Sequence, residues 1–237
     1  MSEPTRIDQI EANLYRIASD VPLLDGGFSF NQYLLTGDRP LLWHTGPRAL
    51  FARTREAIAR VISPEQLAFI GFAHIEADEM GALNDFLRIA PNAVPLCGAI
   101  AAMTSANDMA ERPAHVMADG AQLDIGGATL RWIDAPHVPH GWENGYLFDE
   151  THHSLLCGDL FTQPGSGHAP LIEADILESS EAFRHAMDYY AHAPDTEARL
   201  NGLADLKPRT LACMHGSAWQ GDGGALLRAL GKSLASA

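Results

Sequence analysis

The chain has 237 residues, 46 % of them hydrophobic, which fits a folded protein with a sizeable core and excludes a disordered one. Its formal net charge of −14, from 16 basic and 30 acidic residues, disfavours nucleic acids and anionic membranes as partners. Three cysteines without a Cys-x-x-Cys pair indicate a reducing compartment and argue against a four-thiolate zinc site or an iron–sulfur cluster. Because the N-terminus is polar and no apolar run reaches membrane-spanning length, the sequence predicts a cytoplasmic protein.

The first half of the chain mixes strand and helix patterns. Alternating or continuous short apolar runs predict strands at 12–18, 30–35, 40–43, 67–72 and 93–96. Apolar residues at helical spacing predict helices at 49–61, 81–89 and 100–109. The turn residues Gly37-Asp38 lie between the second and third of these strands, so the two should form a hairpin.

The second half repeats the mixture. We predict further strands at 115–117, 122–123, 128–133, 145–148, 154–157 and 210–214. Helices follow at 180–191, 196–206 and 225–234, and the Gly- and Pro-rich segment 161–169 is predicted to be a loop. Strands and helices do not alternate strictly, so an α+β fold with two mixed sheets between helix layers, an αββα sandwich, fits best. No linker is evident, which predicts a single domain over 1–237.

One cluster of ionisable residues follows the predicted strand at 67–72. His74, Glu76 and Asp78 stand at alternate positions, so an extended backbone would point them the same way. Three such groups at the end of a core strand are costly in free energy unless something pairs with them. A metal centre is the simplest partner.

Three later strands also end in residues that can bind a metal. The strand at 128–133 leads into His137 and His140, the strand at 154–157 into Asp159, and the strand at 210–214 into His215. Each lies near a Gly or Pro, where the backbone can turn sharply and direct a side chain inward. Four such strand ends in one chain predict a shared metal site.

The order of these motifs resembles a known family. His-x-Glu-x-Asp, then His-x-x-His, then Gly-Asp, then His-Gly is the ligand order of the metallo-β-lactamase fold, and Glu76 in place of a second histidine resembles its di-iron branch. That branch comprises the flavodiiron proteins and the stand-alone oxygen-binding di-iron proteins. The similarity extends roughly from Asn13 to Trp219.

The resemblance implies a ligand set of six residues. His74, Glu76 and His140 would hold one metal, Asp78 and His215 the other, and Asp159 would bridge the two. Carboxylates mixed with imidazoles suit iron, with manganese and zinc as alternatives. Six protein ligands shared by two metals leave open positions for a diatomic molecule.

Two residues have roles that the sequence leaves open. Glu79 stands where the superfamily motif ends in histidine, and it is interpreted as a seventh ligand, a proton donor or a solvated residue in the first turn of a helix. His137 competes with His140 for the ligand position; His140 is favoured because its spacing from Asp159 resembles that of the family, which leaves His137 to orient the ligands.

The resemblance also implies a function. Flavodiiron proteins carry a flavodoxin-like domain after the di-iron domain, whereas this chain stops at Ala237, so we expect no flavin in it and an external electron-donor protein. The leading hypothesis is a non-haem di-iron protein that binds O2 or NO and reduces it. A dinuclear metallohydrolase with a metal-bridging hydroxide and a non-catalytic oxygen sensor remain alternatives. By analogy with the family, a homodimer is also open.

Overall fold

A computed structural model describes residues 4–235, which contain two seven-stranded sheets. The first sheet has its strands in chain order, with β1–β4 antiparallel and β4–β7 parallel. Its strands are β1 Arg6–Gln9, β2 Leu14–Val21, β3 Phe28–Leu35, β4 Leu41–Trp43, β5 Phe69–Gly71, β6 Val94–Gly98 and β7 His115–Met117.

The second sheet has the order β12-β14-β13-β11-β10-β9-β8. Its strands are β8 Gln122–Asp124, β9 Thr129–Asp134, β10 Gly145–Asp149, β11 Ser154–Leu156, β12 Leu171–Ile172, β13 Thr210–Ala212 and β14 Ala218–Gln220. Strands β9 and β11 are both antiparallel to β10, and β11 is parallel to β13. The C-terminal ends of β9, β11 and β13 therefore lie at the same end of the sheet.

Helices cover the outer faces of both sheets. They are α1 Phe51–Ile58, α2 Ala77–Met80, α3 Leu83–Ile89, α4 Ala99–Ala101, α5 Asn107–Met109, α6 Leu177–Met187, α7 Thr196–Asp205 and α8 Gly223–Ala235. A π-helical turn, Ala102–Ala106, joins α4 to α5. Within residues 4–235, no helix is both long and apolar enough to cross a membrane.

Three apolar layers hold this architecture together. Trp43 and Trp132 meet edge to face between the sheets, with ring centroids 6.2 Å apart and both side chains fully buried. Ile70 and Phe86 belong to a second cluster between the first sheet and its helices. Leu211 and Leu227 belong to a third, between the second sheet and α6–α8. The predicted αββα sandwich with mixed sheets is confirmed.

Several element predictions need correction. Strands β1, β12 and β14 were not predicted, because each has only two to four residues and β1 is mostly polar. The predicted helix at 81–89 is α3, which begins at Leu83, and the separate helical turn α2 that precedes it was not predicted. The predicted helix at 100–109 is π-helical in its middle. The predicted hairpin around Gly37-Asp38 is confirmed by the antiparallel pairing of β3 with β4.

Candidate metal centre

The first ligand segment lies between the two sheets. After β5 the chain passes through His74 and extends at Glu76, which has φ −141° and ψ 154° and immediately precedes α2. The Gly145 N–H donates to the Ala73 carbonyl, 3.0 Å away, so β10 of the second sheet anchors this loop. Glu76 thus stands before the first turn of α2 and Asp78 within it.

The second ligand segment is the loop after β9. The Asn144 side-chain amide donates to the Val138 carbonyl at 2.6 Å and to the Ala135 carbonyl at 3.3 Å. These bonds fix a loop that contains a cis peptide bond before Pro139 and ends at His140. The His140 side chain reaches the first segment, and its ring centroid lies 4.5 Å from that of His74.

The last two ligand candidates follow neighbouring parallel strands. Asp159 comes after β11 and His215 after β13. The Met214 N–H donates to the Gly158 carbonyl, 2.9 Å away, which joins the two strand ends directly. Gly158 has φ 48°, a left-handed conformation that glycine adopts without strain just before Asp159.

The six predicted ligand residues converge in two groups that share Asp159. In the first group His74 Nε2 lies 3.0 Å from Glu76 Oε2 and 2.9 Å from His140 Nε2. Asp159 Oδ2 lies 3.4 Å from His140 Nε2. In the second group His215 Nε2 lies 3.2 Å from Asp159 Oδ1 and 3.5 Å from Asp78 Oδ2. Each Asp159 oxygen therefore faces a different group.

The far nitrogen of each imidazole faces an acceptor. Nδ1 of His140 lies 2.9 Å from the Tyr189 carbonyl oxygen, and Nδ1 of His215 lies 2.8 Å from that of Ser29. Nδ1 of His74 lies 3.0 Å from a carboxylate oxygen of Glu79. Nδ1–H can thus serve as the donor in all three rings, which leaves each Nε2 lone pair directed at the centre.

The donor spacing fits a metal ion. Nitrogen or oxygen ligands at right angles around an ion, each at about 2.1 Å, are about 3 Å apart. The Nε2 atoms of His74 and His140 are 2.9 Å apart, a separation at which they cannot both carry protons but can both bind one cation. Together with Glu76 and Asp159 they offer four ligand atoms within 4.8 Å of one another. The residues present therefore fit a metal.

The ionisation of the three carboxylates also favours a bound cation. Contacts with His140 and His74 lower the pKa of Glu76 to about 2. Burial raises the pKa of Asp78 to about 7, against the opposing effect of His215. Burial also disfavours ionisation of Asp159, but contact with His215 outweighs it and lowers the pKa. Within residues 4–235 these carboxylates form ion pairs with histidines and with no lysine or arginine, so a metal cation can take the place of the histidine protons as their counter-charge.

Glu79 is not the solvated residue that was one interpretation of the sequence. Its side chain is 0 % exposed, its Oε2 accepts hydrogen bonds from the Ala73 and His74 N–H groups at 2.7 Å, and its Oε1 faces Nδ1 of His74. It does not line the cavity above the cluster. Glu79 thus stands behind His74, on the side of the ring away from the other ligand candidates.

His137 does not occupy the position expected of a residue that orients the ligands. Its side chain is exposed, and its backbone has φ 65° with its N–H bonded to the Gly141 carbonyl. The group that orients His140 is the Tyr189 carbonyl. Of the two histidines in this loop, His140 is the one that the fold brings to the cluster.

The sequence analysis did not single out His44. Its side chain is 1 % exposed, and its Nε2 lies 3.4 Å from Glu79 Oε1. Burial lowers its pKa, which favours the neutral imidazole. The missed signal was available, because His44 also directly follows an apolar strand, β4, and precedes a glycine, Gly46.

A cavity of about 330 Å³ opens onto the two groups. Its metal-facing wall is formed by candidate ligands from both groups, and its outer wall is largely apolar, with Leu23, Leu24, Phe28, Phe183, Met187 and Tyr189. None of the described residues that line it is Lys or Arg. The cavity therefore gives a small, uncharged molecule access to the cluster.

Solved structures share the fold over nearly the whole chain. The flavodiiron core of Flv1 from Synechocystis sp. covers 100 % of this chain and 62 % of its own, with a TM-score of 0.86 and 21 % identity. The rubredoxin oxygen:oxidoreductase of Desulfovibrio gigas covers 95 % of this chain and 60 % of its own, with a TM-score of 0.80 and 18 % identity.

Curated relatives are longer than this chain. A diflavin flavoprotein of Nostoc sp. is 26 % identical over 81 % of this chain and 34 % of its own length. A nitric oxide reductase of Moorella thermoacetica is 22 % identical over 86 % of this chain and 52 % of its own. This chain thus spans about a third to a half of the relatives that it matches. The family model described as ODP family beta lactamase matches residues 28–216, so the chain belongs to that family and has the metallo-β-lactamase fold of the flavodiiron cores.

Proposed function

We propose that this protein is a non-haem di-iron protein that binds and reduces O2 or NO with electrons from another protein. His74, Glu76 and His140 would hold one iron, Asp78 and His215 the other, and Asp159 would bridge them. The bound iron pair would supply the electrons to the diatomic ligand. A homodimer stays a prediction.

The observation that carries this proposal is the convergence of three imidazole Nε2 atoms with three carboxylates. Each imidazole has its other nitrogen facing an oxygen acceptor, and each Asp159 oxygen faces one group. A ligand set of imidazoles and carboxylates suits iron or manganese, whereas softer metals prefer thiolate-rich sites. Three carboxylates also offset much of the charge of two divalent ions.

The cavity favours a small neutral ligand over an anionic ester. Its outer wall includes Leu24, Phe28 and Met187, and of the described residues that line it none is Lys or Arg to bind a phosphate or carboxylate. The net charge of −14 would further repel anionic substrates. O2 and NO have no charge to be repelled.

The named activities of two similar proteins support the choice of ligand. One is an oxygen:oxidoreductase of Desulfovibrio gigas and the other a nitric oxide reductase of Moorella thermoacetica. Both are longer than the part that this chain matches, so the source of electrons is the least constrained part of the proposal. We expect a separate electron-donor protein.

The protein's own residues have distinct tasks in this proposal. Tyr189 and Ser29 orient His140 and His215 through their carbonyl oxygens. Glu76 is half exposed at the edge of the cavity, whereas His74 and His215 are buried.

The test combines metal content with gas reactivity. Protein purified without chelator should contain close to two irons per chain, and the reduced protein should change its absorption spectrum on exposure to O2 or NO. With an artificial electron donor it should consume O2 or NO through many turnovers. The Asp159→Asn variant should lose both iron and turnover, whereas exchange of an exposed histidine outside the site, His192→Asn, should change neither.

Other outcomes would favour the alternatives. A spectral change with O2 but no sustained consumption would favour the sensor. Two zinc ions with rapid, Asp159-dependent hydrolysis of a generic ester or lactone would favour the metallohydrolase. An iron-loaded protein that responds to neither gas would refute the proposal.

A further inference from the structure

Glu79 is a buried carboxylate that the proposed iron ligation does not use. Its side chain is 0 % exposed, although it stands in the first turn of α2 beside the candidate ligand Asp78. A buried carboxylate needs hydrogen-bond donors to all its lone pairs. Its surroundings therefore indicate what it does.

The two oxygens of Glu79 have different partners. Oε2 accepts from the backbone N–H groups of Ala73 and His74, both at 2.7 Å, so its capacity is taken up by the loop that carries His74. Within residues 4–235, the ion-pair contacts of Oε1 are with two ring nitrogens: Nδ1 of His74 at 3.0 Å and Nε2 of His44 at 3.4 Å. Neither contact has the geometry of a hydrogen bond, so Oε1 and both nitrogens are buried with their hydrogen-bonding capacity unused. The donors available to Oε1 are thus imidazole N–H groups.

We propose that Glu79 is a positioning residue, which accepts the His74 Nδ1–H at Oε1 and thereby fixes the His74 tautomer whose Nε2 lone pair binds a metal. Nε2 of His44, 3.4 Å from the same oxygen, is the second nitrogen beside it. This inference rests on the proposed metal-binding function but not on the identity of the gas or of the reaction.

The backbone around Glu79 holds it in this place. The Thr45 N–H donates to the Glu79 carbonyl, and the His44 N–H donates to the Gly71 carbonyl at the end of β5. His44 has φ 63°, a left-handed conformation that is uncommon for a residue other than glycine, and its buried ring lies beside Trp43. The segment after β4 thus fixes α2, and with it Glu79, against the end of β5 and the loop that carries His74.

The other two imidazoles have neutral acceptors in the equivalent position. His140 and His215 face the backbone carbonyls of Tyr189 and Ser29. Only His74 faces a carboxylate, which is a stronger acceptor and makes the ring a more basic ligand. The two metal positions therefore differ in the basicity of their imidazole ligands, with the first more sensitive to a change at Glu79.

The variant Glu79→Gln tests the role of the carboxylate at nearly constant volume. The two buried N–H groups of Ala73 and His74 need an acceptor, so the amide oxygen should stay with them. The amide NH2 then faces Nδ1 of His74, which must accept instead of donate, and the proton moves to Nε2. We expect the first metal position to lose affinity by about 10- to 100-fold, while the position of Asp78 and His215 keeps its metal.

Glu143→Gln is the matched control. Glu143 Oε1 accepts from the Ile75 N–H at 2.9 Å, so it also supports the loop beside His74 and carries the same charge. Among residues 4–235, Glu143 forms no ion pair with an imidazole. This variant should keep both metals at wild-type affinity.

Two readouts decide the outcome. Zinc titrations with a chromophoric chelator give the number of sites and their affinities, and NMR of the diamagnetic zinc-loaded protein detects the His74 Nδ1–H. The wild type should show this proton far downfield, in slow exchange with solvent, and Glu79→Gln should lose it together with tight binding at one site. If the Glu79→Gln protein fails to fold, the wild-type spectrum still decides, because absence of that proton overturns the proposal.

Equal weakening by Glu79→Gln and Glu143→Gln would also overturn it, since loop support alone would then explain the effect. Failure of the proposed function would be distinguishable. A protein that binds two zinc ions as described but shows no reaction with O2 or NO would retain the positioning role of Glu79.

Discussion

Acidification should weaken metal loading in a way that the site geometry determines. An imidazole binds a metal through an unprotonated nitrogen, so protons and metal compete for Nε2. Burial alone would lower the pKa of His74, but the Glu79 and Glu76 carboxylates outweigh it and raise the pKa to about 12 in the metal-free protein. His74 thus holds a proton throughout the range from pH 6 to 8, and the metal must displace it.

The magnitude follows from the number of protons displaced. One proton released per chain changes the loading constant about tenfold per pH unit, or about 100-fold between pH 8 and pH 6. Burial raises the pKa of Asp78 to about 7, so below pH 7 it adds to the proton uptake that opposes loading. The pKa of His215 is also raised, because contact with Asp159 outweighs burial. About 100-fold is therefore a lower bound.

Anaerobic titration of metal-free protein with Fe²⁺ or Zn²⁺ measures this directly. A pH indicator in weak buffer counts released protons, and calorimetry in two buffers of different ionisation enthalpy gives an independent count. His192→Asn, an exposed change outside the site, should release the same number. Fewer than one proton per chain, or an equal loading constant at pH 6 and pH 8, would refute the reasoning.

Five further variants test other parts of the structure. Asp159→Asn should abolish loading at both metal positions, because its two oxygens face different groups, whereas Asp78→Asn should leave one metal per chain by elemental analysis. Trp132→Ala should lower the free energy of unfolding in urea by about 3–5 kcal/mol, because the ring is fully buried between the sheets. The control Trp142→Ala changes a residue that is 55 % exposed, so it should alter the free energy of unfolding by less than about 0.5 kcal/mol. Asn144→Ala should cost about 1–3 kcal/mol and weaken metal binding at the His140 position, because the loop that ends at His140 loses the side-chain amide that donates to both the Ala135 and the Val138 carbonyl. Equal urea midpoints for the two tryptophan variants, or unchanged zinc affinity in Asn144→Ala, would contradict these expectations.

Much of the fold could be predicted from the sequence because the local pattern of apolar and turn residues specifies it. Alternating and continuous apolar runs located eleven of the fourteen strands within the described residues, and the turn at Gly37-Asp38 identified the β3–β4 hairpin. The three missed strands β1, β12 and β14 are short, and they are strands mainly because neighbouring strands pair with them. The π-helical turn was missed because its residues have an ordinary helical pattern.

Most of the candidate ligands could also be chosen from the sequence, but one choice needed the tertiary structure. Residue type and position after an apolar strand were sufficient to choose His74, Glu76, Asp78, Asp159 and His215, since strands that leave a sheet at one edge bring their following residues together. His137 and His140 have the same local signals, three residues apart. Packing separates them, because the Tyr189 carbonyl lies within hydrogen-bond distance of His140 whereas His137 remains at the surface.

The sequence by itself determined the element types, the two-sheet architecture and the set of metal-competent strand ends, because these depend on periodicity and on residues close in the chain. Only the tertiary structure decided what lies behind each imidazole. His215 faces Ser29, 186 residues away, and Glu79 faces both His44 and His74. Such partners depend on how the layers pack, and no local pattern records that packing.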